Sequence, residues 1–184
     1  MLIQILAFLL ETIFFLLIAS ALLRAWMNWL RVNMRAQPGT FVMALTDWLV
    51  KPLRRVLPKS LLQSRLDWAS LLAAALMALG YGLLVGLLFG LLRGVGLGPL
   101  MLVALPWVAL QMLLKVALQT LFILVLGYAL LSWVQPGSPA YGLLGRLTEP
   151  VLAPVRRLIP TVGGVDLSAL ALMLALQIAL MVLG

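Results

Sequence analysis

The stretch LTDWLVKPLRRVLP at residues 45–58 returns as LTEPVLAPVRRLIP at residues 147–160, without a gap. Thr46, Pro52, Arg54, Arg55 and Pro58 meet Thr148, Pro154, Arg156, Arg157 and Pro160, and Asp47 meets Glu149. Each copy follows one long apolar stretch and precedes another. The chain therefore reads as a duplication of one unit: span, basic linker, span.

Working outward, the apolar blocks are long enough to cross a bilayer, which takes about 20 residues as helix. The spans read as Leu2–Leu23, Trp68–Leu92, Trp107–Leu131 and Leu167–Leu183, with residues 100–106 set apart by Pro106 as a candidate interfacial turn. The linkers are Arg24–Arg65 and Val134–Val165, and a Gly-rich connection, Arg93–Pro99, joins the halves. The expected fold is an all-α membrane protein of four transmembrane helices, built from two parallel repeats at residues 1–98 and 99–184. Composition agrees: 184 residues, 65% hydrophobic, 10% charged, with a mean hydropathy of +1.18. A soluble domain has roughly 25% charged residues.

The net charge of +8 is distributed by topology. Eleven of the 13 Lys/Arg fall in the two linkers, with Arg93 and Lys115 elsewhere. Basic linkers face the cytoplasm, so both termini are expected outside. The first charge, Glu11, is acidic and Arg24 follows the apolar block, unlike a secretory signal, so the first span is expected to be retained. No nucleic-acid partner is implied.

Chemistry is restricted by what is missing. Without Cys or His there is no thiolate or imidazole metal site, no disulfide and no ordinary catalytic triad. Five scattered acidic residues make no evident carboxylate pair, and no phosphate loop is present. An enzyme is not expected, and neither is a metal or other cofactor.

Three candidate groups remain. In the repeated linker, Leu45, Leu49, Leu53 and Val56, and in the second copy Leu147, Val151, Val155 and Leu158, form apolar stripes at helical spacing. Lys51, Arg54, Arg55, Arg156 and Arg157 lie off those stripes, and Trp48 widens the first. Such a segment lies in a membrane interface, where its arginines anchor the chain or bind anionic lipid headgroups or a partner. Pro52 and Pro154 predict a kink or break. Thr46 and Thr148 are expected to cap these helices, and Asp67 and Asp166 the spans that follow, with capping as their whole role.

The second group is intramembrane: Gln111, Lys115 and Gln119 form one stripe, and Glu11 should reach the depth of Lys115. Opposite charges there are most cheaply explained as partners, either fixing register or marking an ion path. The third group is small residues at spacing four: Ala74, Ala78, Gly82, Gly86 and Gly90, and Ala171, Ala175 and Ala179. Such faces let helices approach closely, within the chain or in a homo-oligomer.

Taken together, Arg24-x-Trp26-x-x-Trp29, the doubled P-x-R-R-x-x-P, SWVQPGSP at 132–139 and PTVGGVD at 160–166 resemble the YggT family over essentially the whole chain. One departure stands out: after Pro58 the first copy reads KSLLQSRLD, where the second has the shorter, more typical turn. The resemblance implies a small bacterial inner-membrane protein with plastid relatives. It associates the chain with osmotic or ionic stress tolerance, cell division and envelope organisation, and plastid relatives with cytochrome b maturation and nucleoid distribution. No catalytic residue carries over. A non-enzymatic protein binding anionic lipid or a membrane-protein partner is the expected function. A small ion channel or transporter component and an assembly factor are the alternatives.

Overall fold

The computed structural model describes residues 1–62, 64–92, 99–157, 159 and 166–183, which form helices joined by turns, with no strand among them. In chain order the elements are α1 (Leu2–Trp29), α2 (Gly39–Val56), α3 (Lys59–Leu62), α4 (Trp68–Leu92), α5 (Pro99–Val134), α6 (Pro139–Arg156) and α7 (Leu167–Leu183). The expected Arg93–Pro99 connection (save Pro99) and most of the turn before Asp166 lie outside the described residues.

Among the described residues three helices are long and apolar enough to cross a membrane, within Leu2–Trp29, Trp68–Gly90 and Val103–Val134. The apolar helix α7 has 17 residues, about 26 Å at 1.5 Å per residue, against a hydrocarbon core of about 30 Å. Outer faces carry large apolar side chains, among them Phe8, Ile13, Leu174 and Ile178. Exposed apolar surface on this scale suits lipid rather than water.

Helix α1 runs six residues past its expected end. At 28 residues it is about 42 Å long, longer than a hydrocarbon core of about 30 Å, and Arg24 and Asn28 lie in its last two turns. It stops in a C-terminal lock. Arg31 adopts φ +54°, its N–H donates to Asn28 O at 3.1 Å, and Val32 N–H donates to Met27 O at 2.9 Å. Met27 and Val32 are both buried, the hydrophobic contact that accompanies this motif. Helices α2, α5 and α6 continue through Pro52, through Pro106, and through Pro150 and Pro154. Of the kink or break expected at Pro52 and Pro154, the break does not occur, and the separate turn expected at 100–106 is part of continuous helix: packing on neighbouring helices outweighs one lost backbone bond.

Packing divides the chain into two compact units, residues 1–116 and 117–184. The expected boundary at 98/99 falls within the first of these packing units. In the first unit α1 packs along α4 and α2, with Ile18, Ala21, Val50, Ala69, Ala73, Ala74, Met77 and Ala78 buried. Ala109, Met112 and Val116 of early α5 join that core. A Cβ on Gly82 would meet Leu105 Cδ1 at 3.2 Å, so the missing side chain sets the approach of α4 to α5. Gly86 and Gly90 continue this face, half-buried.

The second unit gathers Val125, Tyr128, Leu152, Ala169, Leu172 and Leu176. Helix α7 buries the Ser168, Ala169, Leu172, Leu176 side, whereas Ala175 on the expected close-packing stripe is exposed.

Candidate functional site: the arginine–aspartate clasps

On α2 the fully buried face is shifted by one position from the expected stripe, whereas on α6 the expected Leu147, Val151 and Val155 lie on the side that meets the core. The fully buried line on α2 is Val42, Thr46, Val50, flanked by Leu49 and Leu53; on α6 it is Leu147, Thr148 and Leu152, flanked by Val151 and Val155. Val56, at the end of the expected stripe, is 84% exposed. Leu158 is outside the described residues. These apolar faces meet protein, not lipid.

Thr46 and Thr148 are not caps. They lie inside their helices, fully buried, and their hydroxyls donate to Val42 O at 2.7 Å and Leu144 O at 2.8 Å. A threonine in a helix interior can satisfy its hydroxyl this way. Helix α6 is capped instead by Ser138, whose hydroxyl accepts from Tyr141 N–H.

With that face inward, Arg54 turns toward the start of α4. Its guanidinium lies 2.8 Å from Asp67 Oδ2, and the same oxygen accepts from the Asn28 amide and the Ser70 hydroxyl. Asp67 Oδ1 accepts from Ser70 N–H at 3.3 Å, so the expected cap exists, yet it is only part of the role. The Asp67 side chain is 8% exposed. Burial opposes its ionisation, but the Ser70 hydrogen bonds, the Arg54 charge and the Asn28 amide outweigh it and hold the carboxyl below its usual range.

A second contact ties α2 to α1. Arg24, 4% exposed, donates through Nη1 to Thr46 Oγ1 at 2.7 Å and to Asp47 Oδ1 at 2.8 Å. Lys51 closes the other side of Asp47 at 2.8 Å. The Lys51 hydrogen bond leads in depressing the Asp47 carboxyl, against some desolvation and with help from Arg24.

The second unit uses one hub. Arg156 donates through Nε and Nη2 to Asp166 Oδ2 at 3.1 and 2.8 Å, through Nη1 to Glu149 Oε2 at 2.8 Å, and through Nη2 to Tyr128 Oη at 2.9 Å. Its Cζ lies 5.7 Å from the Tyr128 ring centroid, within cation–π range. Tyr128 stacks on Tyr141 at 5.1 Å. Desolvation weakens the Arg156 cation, but Asp166, Tyr128 and Glu149 more than compensate and raise its pKa. Asp166 Oδ1 also accepts from Ser168 N–H, again a cap with a larger role.

The repeated arginines thus divide by partner. Arg54 and Arg156 pair with Asp67 and Asp166, although Arg54 is still 43% exposed, while Arg55 and Arg157 are exposed and have no acidic partner among the described residues. Lys51 and Trp48 are also exposed. The intramembrane stripe places Lys115 Nζ 3.3 Å from Glu11 Oε1. Gln111 and Gln119 are half-buried and donate nothing to that pair; Gln119 belongs to the second unit. Among the described residues no cluster could hold a metal ion.

Sequence spacing missed Arg24, Asn28, Tyr128 and Tyr141 as members of the clasps. None lies within the repeated motif, and their aligned partners differ in type. Asp67 and Asp166 did carry a signal, since each closes its linker immediately before an apolar run.

A family model described as CCB3/YggT matches residues 3–88 and 107–184. An Escherichia coli K12 protein named "Uncharacterized protein YggT" is 35% identical over 175 residues, covering 94% of this chain and 86% of the relative. A Vibrio alginolyticus protein, "Uncharacterized protein in proC 3'region", is 34% identical over 180 residues, covering 97% and 92%. A Pseudomonas aeruginosa protein, PA0392, is 32% identical over 188 residues, covering 93% and 84%. No solved structure matches.

Proposed function

The chain belongs to the CCB3/YggT family, and from that premise we propose that it is a non-catalytic, multi-pass scaffold of the bacterial inner membrane. In this reading α7 is the fourth span, both linkers face the cytoplasm and both termini lie outside, as the concentration of Lys and Arg in the linkers favours. Each span–linker–span unit is locked by its arginine–aspartate clasp. The locked linker helix holds its remaining cations and aromatics against the anionic headgroups of the inner leaflet. The physiological role is support of envelope organisation or of osmotic and ionic stress tolerance.

One observation supports this reading: in each RR pair the first arginine is engaged by an aspartate of its own unit, and the second is exposed with no acidic partner among the described residues. The outer side of α2 carries Phe41, Trp48 and Arg55, all exposed, a combination suited to the headgroup layer. Arg157 and Lys51 add charge that attracts anionic lipid by about 1 kcal/mol per cation near a charged surface. Replacing Arg55 and Arg157 with Gln should cut retention of anionic lipid on the purified protein, while Lys at both positions restores most of it. Equal retention in the Gln, Lys and parent proteins would reduce the arginines to passengers.

The Glu11–Lys115 contact supports a second reading, an ion path. Proteoliposomes carrying Lys115→Met separate the two: lost ion flux with intact folding supports a path, and unchanged flux or no flux supports a structural pair.

A further inference from the structure

The departure between the two copies has a structural product. KSLLQSRLD after Pro58 makes the first linker longer, folds Lys59–Leu62 into α3, and sets Ser64 and Arg65 opposite the end of α1. A solvent-open cleft of about 720 Å³ lies there, lined by Asn28, Trp29, Leu30, Arg31, Ser64 and Arg65. A second cleft of about 410 Å³ shares Asn28, Ser64 and Arg65 and reaches Arg54 and Asp67. Volumes of this order accommodate small ligands.

The charges in this space do not cancel. Asp67 is the acidic residue on its walls, and its oxygens are engaged by Arg54, Asn28 and Ser70. Arg31 and Arg65 face the larger cleft without an acidic partner among the described residues. Each guanidinium offers five N–H donors in a fork that matches phosphate oxygens. The Arg31 backbone is fixed in the left-handed position of the α1 lock, a conformation that non-glycine residues adopt at a cost. The cleft also sits where α1 and α4, two helices able to cross a membrane, come to their ends, at the level expected of lipid phosphates.

We propose that this cleft is a binding site for a phosphate-bearing anion, held between Arg31 and Arg65, with a phospholipid headgroup or free phosphate as its source. The site goes beyond the scaffold reading, because it uses neither Arg55 nor Arg157 and belongs to the first repeat alone.

The test uses the full chain in nanodiscs of zwitterionic lipid, titrated with short-chain phosphatidylglycerol and, separately, with inorganic phosphate. Saturable phosphatidylglycerol binding is expected. It should weaken at least tenfold in the Arg31→Asn/Arg65→Gln variant and persist in Arg55→Gln/Arg157→Gln. Asn is tolerated at the left-handed position, and Arg65→Gln alone, at an exposed residue, must also weaken binding measurably. Inorganic phosphate competing with the same dependence on both arginines would make the source soluble and still support the site. Absence of saturable binding by either probe, or binding unchanged in Arg65→Gln and in the double variant at unaltered melting temperature, would overturn it.

Discussion

In the first repeat the linker helix is tied down twice, by Arg24 reaching Thr46 and Asp47 and by Arg54 reaching Asp67. In the second, Asp166, Glu149 and Tyr128 converge on Arg156 alone. The linear motif is nearly the same, so the difference lies in what surrounds it. Positions aligned with Arg24 and Asn28 are Leu126 and Leu130, which offer no donor. The acid after the buried threonine then turns to another partner. Asp47 meets Arg24 and Lys51, whereas Glu149, one methylene longer, pairs with Arg156 two turns ahead. The same task, holding a linker helix on its spans, is distributed in one half and concentrated in the other.

A distributed clasp should fail gradually and a concentrated one at a single residue. The largest expected effect is therefore Arg156→Ala, which leaves Asp166 and Glu149 without their cation and should cost about 3 kcal/mol in thermal unfolding. Arg54→Ala should cost about 1 kcal/mol, because Asp67 keeps Asn28 and Ser70 and Arg54 is 43% exposed. Equal losses would break the comparison.

Next comes Gly39→Ala. A Cβ there would meet Met34 Cα and O at 2.6 Å, a backbone collision that nothing cheap relieves, at about 2–3 kcal/mol. The aligned residue is Tyr141, which instead supplies the ring stacked on Tyr128. Stability unaffected by Gly39→Ala would mean that the approach to Met34 is not required.

Arg24→Leu copies the second repeat into the first and should cost about 2 kcal/mol, the value of charged hydrogen bonds lost. Part of the cost is offset, because Arg24 Nε is already buried without a partner. A gain in stability on this substitution would show that desolvation outweighs the contacts.

Acid should sharpen the contrast from a different direction. Asp47 and Asp67 are held below their ordinary value of 3.8. Their stabilisation is complete above that value and is lost as pH falls through the lower folded-state values. Melting of the parent should be flat from neutral pH down to the unfolded value and then decline. Asp67→Asn should be less stable at neutral pH and show a shallower decline in acid. The smallest effect expected is Arg31→Gly, a gain of about 1 kcal/mol from relieving left-handed strain. Lost stability there would point to a contact made by the Arg31 side chain.

What the amino-acid order determined by itself was the recurrence of the RR-bearing stretch, the apolar helices and the placement of basic residues, because these rest on local composition and periodicity. It also brought Glu11 and Lys115 into consideration together, since unpaired charges at that depth are costly. Tertiary structure alone decided which arginine of each pair meets an aspartate. Arg54 and Arg55 are adjacent and chemically identical, and only the docking of Val42, Thr46 and Val50 on the neighbouring helices aims one of them at Asp67. It likewise converted Asp67 and Asp166 from simple caps into anchors, and Thr46 and Thr148 from expected caps into buried interior residues. Those outcomes depend on partners 13 to 39 positions away along the first repeat, a separation over which no local pattern carries information.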